Sequence, residues 1–117
     1  MVYCSGSLSL ALLEVWVHLP AAQRRPGSLP EHVKVGLDVP ADLIETHDPA
    51  SADLADPVRT TGFGDRWLDE GRSLALSVPS AILPEERSLL LNPRHPDLAR
   101  VDVAMLALFR FDQRLAI

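Results

Sequence analysis

Apolar residues dominate one stretch near the start of the chain, residues 8–19, with Glu14 as the charged side chain in its middle. Ser7 precedes the stretch and predicts an N-cap, because a serine hydroxyl accepts from a free N–H group of the first helical turn. Pro20 ends it, since the residue before a proline avoids the helical region. The pattern predicts a helix that is apolar nearly all round and therefore buried on most faces.

Glu14 is the polar exception on this helix. Leu10, Leu13 and Val17 share its face at helical spacing. A carboxylate in such surroundings costs several kcal/mol unless it is paired or lines a cavity. Three interpretations are open: an interhelical ion pair, a pair with His18 one turn further on, or a catalytic carboxylate that faces a cleft.

A period of two marks two later segments. In residues 31–40, four apolar side chains share one face and predict a half-buried strand: Val33, Val35, Leu37 and Val39. In residues 74–84, Ser80 occupies a position in an otherwise apolar row. Pro79 cannot donate to a strand ladder and predicts an edge or a bend. Ser80 is either hydrogen-bonded to a nearby carbonyl or part of a site.

The other segments predict short elements in mixed order. Residues 61–71 predict a helix with Trp67 in the core, and residues 47–57 predict a loop. Leu89–Leu91 and residues 109–115 predict strands, and His95 is predicted to be a loop histidine bonded to the backbone. Without regular βαβ alternation, the order predicts an α+β fold with a small, mostly antiparallel, twisted sheet and a few short helices.

Composition narrows the function classes. The chain has 117 residues, 47% of them apolar and 23% charged, which is typical of one globular domain. Its net charge of −5 argues against direct nucleic-acid binding, and it contains no apolar run long enough to cross a membrane. The single cysteine, Cys4, excludes an internal disulfide and favours a reducing cytoplasm. The histidines show no metal-ligand spacing, so we expect no metal.

Four segments together resemble the RES domain, the toxin of a bacterial toxin–antitoxin system: residues 2–5 running into 11–18, residues 64–71, residues 78–86 with 90–97, and residues 109–115. By motif, Glu14 resembles the family's glutamate and Ser80 its serine. Tyr3 resembles the aromatic residue that lines the nicotinamide site. The family's arginine belongs to a Gly-Gly-Arg-Trp-type segment that would precede Met1. The resemblance therefore implies a partial RES domain over residues 1–117 that lacks its N-terminal part, and weak or no activity.

The resemblance also implies a function and a fold similar to ADP-ribosyltransferases. RES proteins consume NAD, as an NAD phosphorylase with phosphate as acceptor, by hydrolysis, or by ADP-ribosyl transfer to a protein. An antitoxin with an Xre-type helix-turn-helix neutralises them. NAD is then the substrate and the cytoplasm the location, and a catalytically inactive remnant that only binds the antitoxin is the alternative.

The roles of single residues follow from the same resemblance. Glu14 would stabilise the oxocarbenium-like transition state or activate the nucleophile. Ser80 would hydrogen-bond the ribose or the nicotinamide amide, and Tyr3 would stack on the nicotinamide ring. The pyrophosphate requires an arginine, and because the family's arginine is missing here, Arg66 or Arg94 could replace it, although no motif assigns either residue to this role. A third hypothesis is a generic α+β domain in which Glu14 and Ser80 merely pair inside the core.

Overall fold

A computed structural model describes residues 1–49 and 57–117. Its helices and strands, in chain order, are β1 (Val2–Ser5), α1 (Leu8–His18), β2 (Glu31–Asp38), β3 (Ile44–Thr46), α2 (Pro57–Glu70), β4 (Ala75–Pro79), β5 (Arg87–Leu91) and β6 (Asp102–Arg110). Short 3-10 turns cover Ala21–Arg24, Ala41–Leu43, Pro96–Arg100 and Gln113–Leu115. This confirms the α+β prediction, whereas the similarity to ADP-ribosyltransferases stays a prediction. Residues 50–56 of the predicted loop lie outside the described part.

The larger sheet has four strands in the order β1-β5-β4-β3. The pairs β1–β5 and β5–β4 are antiparallel, and β3–β4 is parallel. A parallel pair needs a crossover connection, and α2 lies in the connection from β3 to β4. The sheet thus contains one βαβ unit within its mostly antiparallel order. Pro79 is the last residue of β4, an internal strand, so the proline marks the strand's end rather than a sheet edge.

The centre of this sheet is buried on both faces. On one face, Leu76 and Leu90 pack with Trp67 of α2, which is 1% exposed. On the other face, Leu91 packs in a cluster with Leu43 and with residues at the end of β2. The prediction that Trp67 belongs to the core is confirmed. Two covered faces explain why β4 and β5 are apolar at consecutive positions.

Helix α1 begins and ends where the sequence predicts. The Ser7 hydroxyl accepts a hydrogen bond from the Leu10 N–H at 3.1 Å, and the helix ends at His18. The expected burial on most faces is wrong. Leu10 is buried, but Leu8 and Val17 are about half exposed. Among the described residues, Leu10 is the buried position of α1, and four of its other apolar side chains are exposed: Leu8, Leu13, Val15 and Val17.

The second sheet contains β2 and β6, which pair antiparallel. β2 alternates as predicted, but Val33 and Val35 lie on its exposed face, opposite Leu108 and Leu106 of β6. The opposite face of this sheet contacts an aromatic cluster around Phe111, which is 4% exposed. The aromatic rings, and not the valines, therefore form the core on this side of the domain. Within the described residues, neither helix is both long and apolar enough to cross a bilayer.

Candidate active site

The two polar residues that interrupt apolar rows in the sequence meet in space. The Ser80 hydroxyl donates a hydrogen bond to Glu14 Oε1 at 3.1 Å, although the two residues are 66 positions apart. Ser80 is 2% exposed, whereas Glu14 is only partly buried. The structure therefore brings these two predicted site residues together, with the hydroxyl inside and the carboxylate nearer to solvent. Their catalytic role stays a prediction.

Ser80 is held by a tight turn directly after β4. Its hydroxyl oxygen accepts from the backbone N–H groups of Ile82 and Leu83, each at 3.2 Å, and its own N–H donates to the Glu86 carbonyl at 2.9 Å. A serine hydroxyl has one proton and two acceptor positions, and all three are used here. Of the two alternatives for Ser80, a hydrogen bond to a nearby carbonyl is wrong, because its hydroxyl donates to the Glu14 carboxylate. Direct contact between Ser80 and a ligand stays a prediction that requires one of these bonds to exchange.

The turn that follows Ser80 is also tied to the start of α1. The Ser7 hydroxyl donates to Glu86 Oε1 at 3.3 Å, and the Gly6 N–H donates to the Arg87 carbonyl at 3.0 Å. A Cβ atom at Gly6 would lie 3.1 Å from that carbonyl oxygen, so the close approach favours glycine. Together with the Ser80–Glu14 bond, these contacts fix the turn against α1 at several points. The orientation of Glu14 is thereby set by two elements at once.

Two non-catalytic interpretations of Glu14, an interhelical ion pair and a pair with His18, do not hold. The His18 ring nitrogen Nδ1 lies 2.7 Å from the Glu14 backbone carbonyl rather than beside its carboxylate. The Glu14 carboxylate forms no ion pair with any residue in the described part of the chain. The carboxylate pairs with Ser80, as the hypothesis of a generic domain expects, but it lines a cleft and is only partly buried rather than inside the core. This position agrees with a carboxylate presented to a ligand.

The cleft is wide and open. Its volume is about 2300 Å³, against roughly 300–1,000 Å³ for a typical small-molecule pocket. Residues of both helices and of all six described strands line it. Tyr3 is 75% exposed at the edge of the larger sheet and also lines it, so its ring is accessible to a planar ligand. The cleft has room for an extended ligand such as a dinucleotide.

The two arginines predicted to contact a pyrophosphate differ in position. Arg66 of α2 lines the cleft. Its side chain has no hydrogen-bond or ion-pair partner among residues 1–49 and 57–117. Arg94 lies outside the cleft, where its backbone N–H donates to the Asn92 side chain at 3.0 Å. Arg66 therefore stays a candidate, and the position of Arg94 argues against it.

Sequence reasoning missed the arginine that organises one wall of the cleft. The Arg87 guanidinium donates to Ser77 Oγ at 3.1 Å and to the carbonyls of Ser77 and His47 at 2.8 and 3.1 Å. It also pairs with the Asp48 carboxylate. Arg87 thus joins the start of β5 to the segment after β3. No local pattern could identify it, because its partners are distant in sequence.

An aromatic pair continues the same wall. The rings of His47 and Phe63 are stacked, with centroids 3.7 Å apart and an interplanar angle of 9°. Phe63 belongs to α2 and His47 follows β3, so the stack joins the helix to the sheet. The sequence pattern predicts a helix around Phe63 but does not indicate this partner.

The remaining candidate side chains have structural roles. His95 Nδ1 accepts from the Asp97 N–H at 3.1 Å, which confirms the predicted backbone bond. Burial raises the pKa of the Cys4 thiol, because the charged thiolate loses solvation.

Across residues 1–49 and 57–117, no three histidine, cysteine, aspartate or glutamate side chains cluster closely enough to hold a metal ion.

Comparisons with known proteins agree with the resemblance in the sequence. Residues 1–114 match the family model described as RES domain. The chain is 33% identical, over 129 residues, to a protein of Sphingobium sp. (strain YBL2) named Prs ADP-ribosylating toxin, covering 98% of this chain and 74% of that protein. It is 33% identical over 120 residues to a Toxin Res of Yersinia enterocolitica, covering 97% and 76%. A Toxin Res of Pseudomonas putida is 36% identical over 99 residues, covering 82% and 66%.

Proposed function

The chain belongs to the RES domain family, and on that premise we propose that it is a toxin domain that cleaves NAD between nicotinamide and ribose. The observation that carries this proposal is the hydrogen bond from buried Ser80 to Glu14 on the wall of a cleft large enough for a dinucleotide. The name of the Sphingobium relative, an ADP-ribosylating toxin, supports NAD as the substrate.

The proposed reaction breaks one bond and forms another at the anomeric carbon of the ribose. The C1′–N1 bond breaks, its electron pair leaves with nicotinamide, and positive charge grows on the ribose as in glycoside hydrolysis. An acceptor oxygen then bonds to C1′ and loses a proton to a base. A fixed carboxylate beside the ribose stabilises the growing charge electrostatically and can take that proton. Glu14 is the residue we propose for both tasks.

Ser80 acts through Glu14 in this proposal. Two backbone N–H groups donate to its oxygen and leave its proton directed at Glu14 Oε1. The bond therefore holds one carboxylate oxygen in place and leaves the other for the ribose or the acceptor. Preorganised charge of this kind costs no reorganisation during the reaction. Tyr3, at the cleft edge, would stack on nicotinamide.

The proposal also covers the acceptor of the ADP-ribose group and the protein that neutralises the toxin. The relative's name supports transfer of ADP-ribose to a protein, and inorganic phosphate or water would complete the same bond change. We propose an Xre-type helix-turn-helix antitoxin as the neutralising partner and the bacterial cytoplasm as the setting, both from the family resemblance. The alternative is an inactive remnant that only binds the antitoxin. Release of nicotinamide from NAD distinguishes the two hypotheses, because only the active toxin releases it.

The test measures nicotinamide released from NAD by the purified chain and its Glu14→Gln variant, with and without phosphate. The amide oxygen that this substitution introduces can still accept from Ser80, so the change removes the charge and keeps this hydrogen bond. We expect slow release that Glu14→Gln reduces by about a hundredfold or more. Glu85→Gln, an exposed position outside the cleft, is the matched control.

Two results would contradict the proposal. One is release that is equal in the wild-type chain and in Glu14→Gln. The other is no release above the buffer rate while the chain still retains an Xre-type antitoxin in a pull-down, which would favour the inactive remnant. Thermal unfolding of each variant checks that loss of activity is not loss of fold.

A further inference from the structure

Helix α2 presents a group of residues to the cleft that the proposed chemistry at Glu14 does not use. Arg59, Phe63 and Arg66 stand at i, i+4 and i+7 and so share one helix face, and all three line the cleft. Gly62 lies beside them and lines it too. The face therefore combines cationic groups, an aromatic ring and a position without a side chain.

Gly62 lowers the stability of helix α2. A glycine in a helix interior destabilises it by roughly 1 kcal/mol relative to alanine. A Cβ atom built at Gly62 would meet no atom within 4 Å, so no packing in the described structure requires glycine there. The open space in front of its Cα is on the cleft side, where a ligand could approach the helix backbone closely.

The Phe63 ring stacks on the His47 ring, and backbone hydrogen bonds hold His47 in position. The His47 N–H donates to the Ser77 carbonyl at 2.9 Å, and the His47 carbonyl accepts from Arg87 at 3.1 Å. The ring pair is thus anchored to the larger sheet through two backbone groups. Preformed flat aromatic surfaces in a cleft with arginines nearby are typical of sites for nucleotides, because bases stack and phosphates pair with guanidinium.

From these observations we infer that the α2 face binds the adenosine diphosphate half of the dinucleotide. Arg66 pairs with the pyrophosphate, the His47–Phe63 pair packs against the adenine, and Gly62 lets the ligand approach the helix. This inference rests on the proposed function for its substrate. It adds that affinity comes from α2, whereas bond cleavage belongs to the Glu14 side of the cleft.

The test uses ADP and inorganic pyrophosphate as probes, since neither contains the bond that is cleaved. Binding to the full chain is measured by titration calorimetry. We expect Arg66→Ala to weaken both probes about ten- to a hundredfold, because a charged hydrogen-bonding group is lost. Arg94→Ala, which removes an arginine outside the cleft, is the matched control and should leave both affinities unchanged.

Two further variants separate binding from folding. Phe63→Leu keeps an apolar side chain but removes the ring, so ADP should weaken several-fold while pyrophosphate does not. Gly62→Ala should raise the melting temperature, because helix propensity improves, and still weaken ADP about tenfold or more by blocking the approach to the helix. A variant that is more stable yet binds less cannot be explained by misfolding.

Failure of this inference differs from failure of the proposed function. If ADP does not bind the wild-type chain at millimolar concentration, or binds Arg66→Ala and Arg94→Ala equally, the α2 assignment is wrong, whatever the result with NAD. If ADP binding depends on Arg66 and Gly62 but nicotinamide release does not depend on Glu14, the α2 face binds ADP as inferred. The proposed role of Glu14 in NAD cleavage is then wrong.

Discussion

Both sheets of this domain contain rows of apolar side chains that share a face, but the rows differ in burial. In the four-stranded sheet, Leu76 and Leu90 are buried beneath α2. In the two-stranded sheet, Leu106 and Val33 belong to an equally regular apolar row, yet they are 69% and 61% exposed. A period of two shows which residues share a face. Whether that face is covered depends on the elements that lie against it.

The site belongs to the better-covered sheet. Ser80 follows β4, and Arg87 begins β5, so both lie where the larger sheet meets α1 and the segment after β3. Strands that are packed on both faces keep the residues at their ends in fixed positions. Ser80 can therefore hold the Glu14 carboxylate in one orientation, as a preorganised site requires. The two-stranded sheet contributes to the cleft wall but brings none of the predicted site residues.

The largest expected difference between the sheets is in stability. Leu76→Ala should lower the free energy of unfolding by about 2–5 kcal/mol, because it leaves a cavity in a closed core. Leu106→Ala should change it by no more than about 0.5 kcal/mol, because the side chain is already in water. Denaturant unfolding of both variants makes the comparison. A similar loss in both would mean that the outer face of the second sheet is covered in solution.

Ser80→Ala tests the turn that ends the larger sheet. The change removes three hydrogen bonds and leaves the N–H groups of Ile82 and Leu83 without their acceptor. We expect a loss of about 1–3 kcal/mol in unfolding free energy, since unsatisfied buried groups carry most of this cost. Ser28→Ala, at an exposed position, is the control. Equal stability of the two variants would show that the turn does not depend on Ser80.

A pH titration tests how β3 is attached to β4. Hydrogen bonds from Arg72 lower the pKa of Glu45, and the Ser73 hydroxyl also donates to this carboxylate. The stabilisation is complete above the unfolded-chain pKa, roughly 4.3, and is lost as pH falls through the lowered folded-state pKa. Because Arg72 is half exposed, water screens its interaction with Glu45, and we expect only a small contribution to the unfolding free energy.

The measurement compares unfolding free energies of the wild-type chain and Arg72→Gln from near-neutral to acidic pH. Arg72→Gln should lose stability mainly at the upper end of this range and so show a shallower decline on acidification. Arg94→Gln, an exposed arginine without this partner, should follow the wild-type curve. Parallel curves for wild type and Arg72→Gln would show that the ion pair does not contribute.

The smallest effect concerns Cys4 at the edge of the larger sheet. Since burial raises the pKa of its thiol, less thiolate is present at mildly alkaline pH, and alkylation should be several-fold slower than in the unfolded chain. The rates with iodoacetamide in native buffer and in denaturant test this. Equal rates would indicate that β1 opens readily, and would weaken the contrast between a firmly packed sheet and an open one.

Several local features could be predicted from the sequence because their causes are local. The Ser7 cap, the helix end before Pro20, and Gly71 after α2 all follow from short-range backbone chemistry. Gly71 has a positive φ of 61°, as a residue after a helix end often requires. Burial was less predictable: α1 and β2 expose apolar residues that their patterns alone would place inside.

Local patterns along the chain were enough to predict most of the helices and strands and to mark Glu14 and Ser80, since a carboxylate or hydroxyl in an apolar row is visible against its neighbours. Only the tertiary structure decided three further features. Glu14 and Ser80 share a hydrogen bond, the Arg87 guanidinium donates to the His47 carbonyl, and Val33 and Val35 of β2 are exposed. Each of those depends on contacts between segments tens of residues apart, and no periodicity along the chain contains that information.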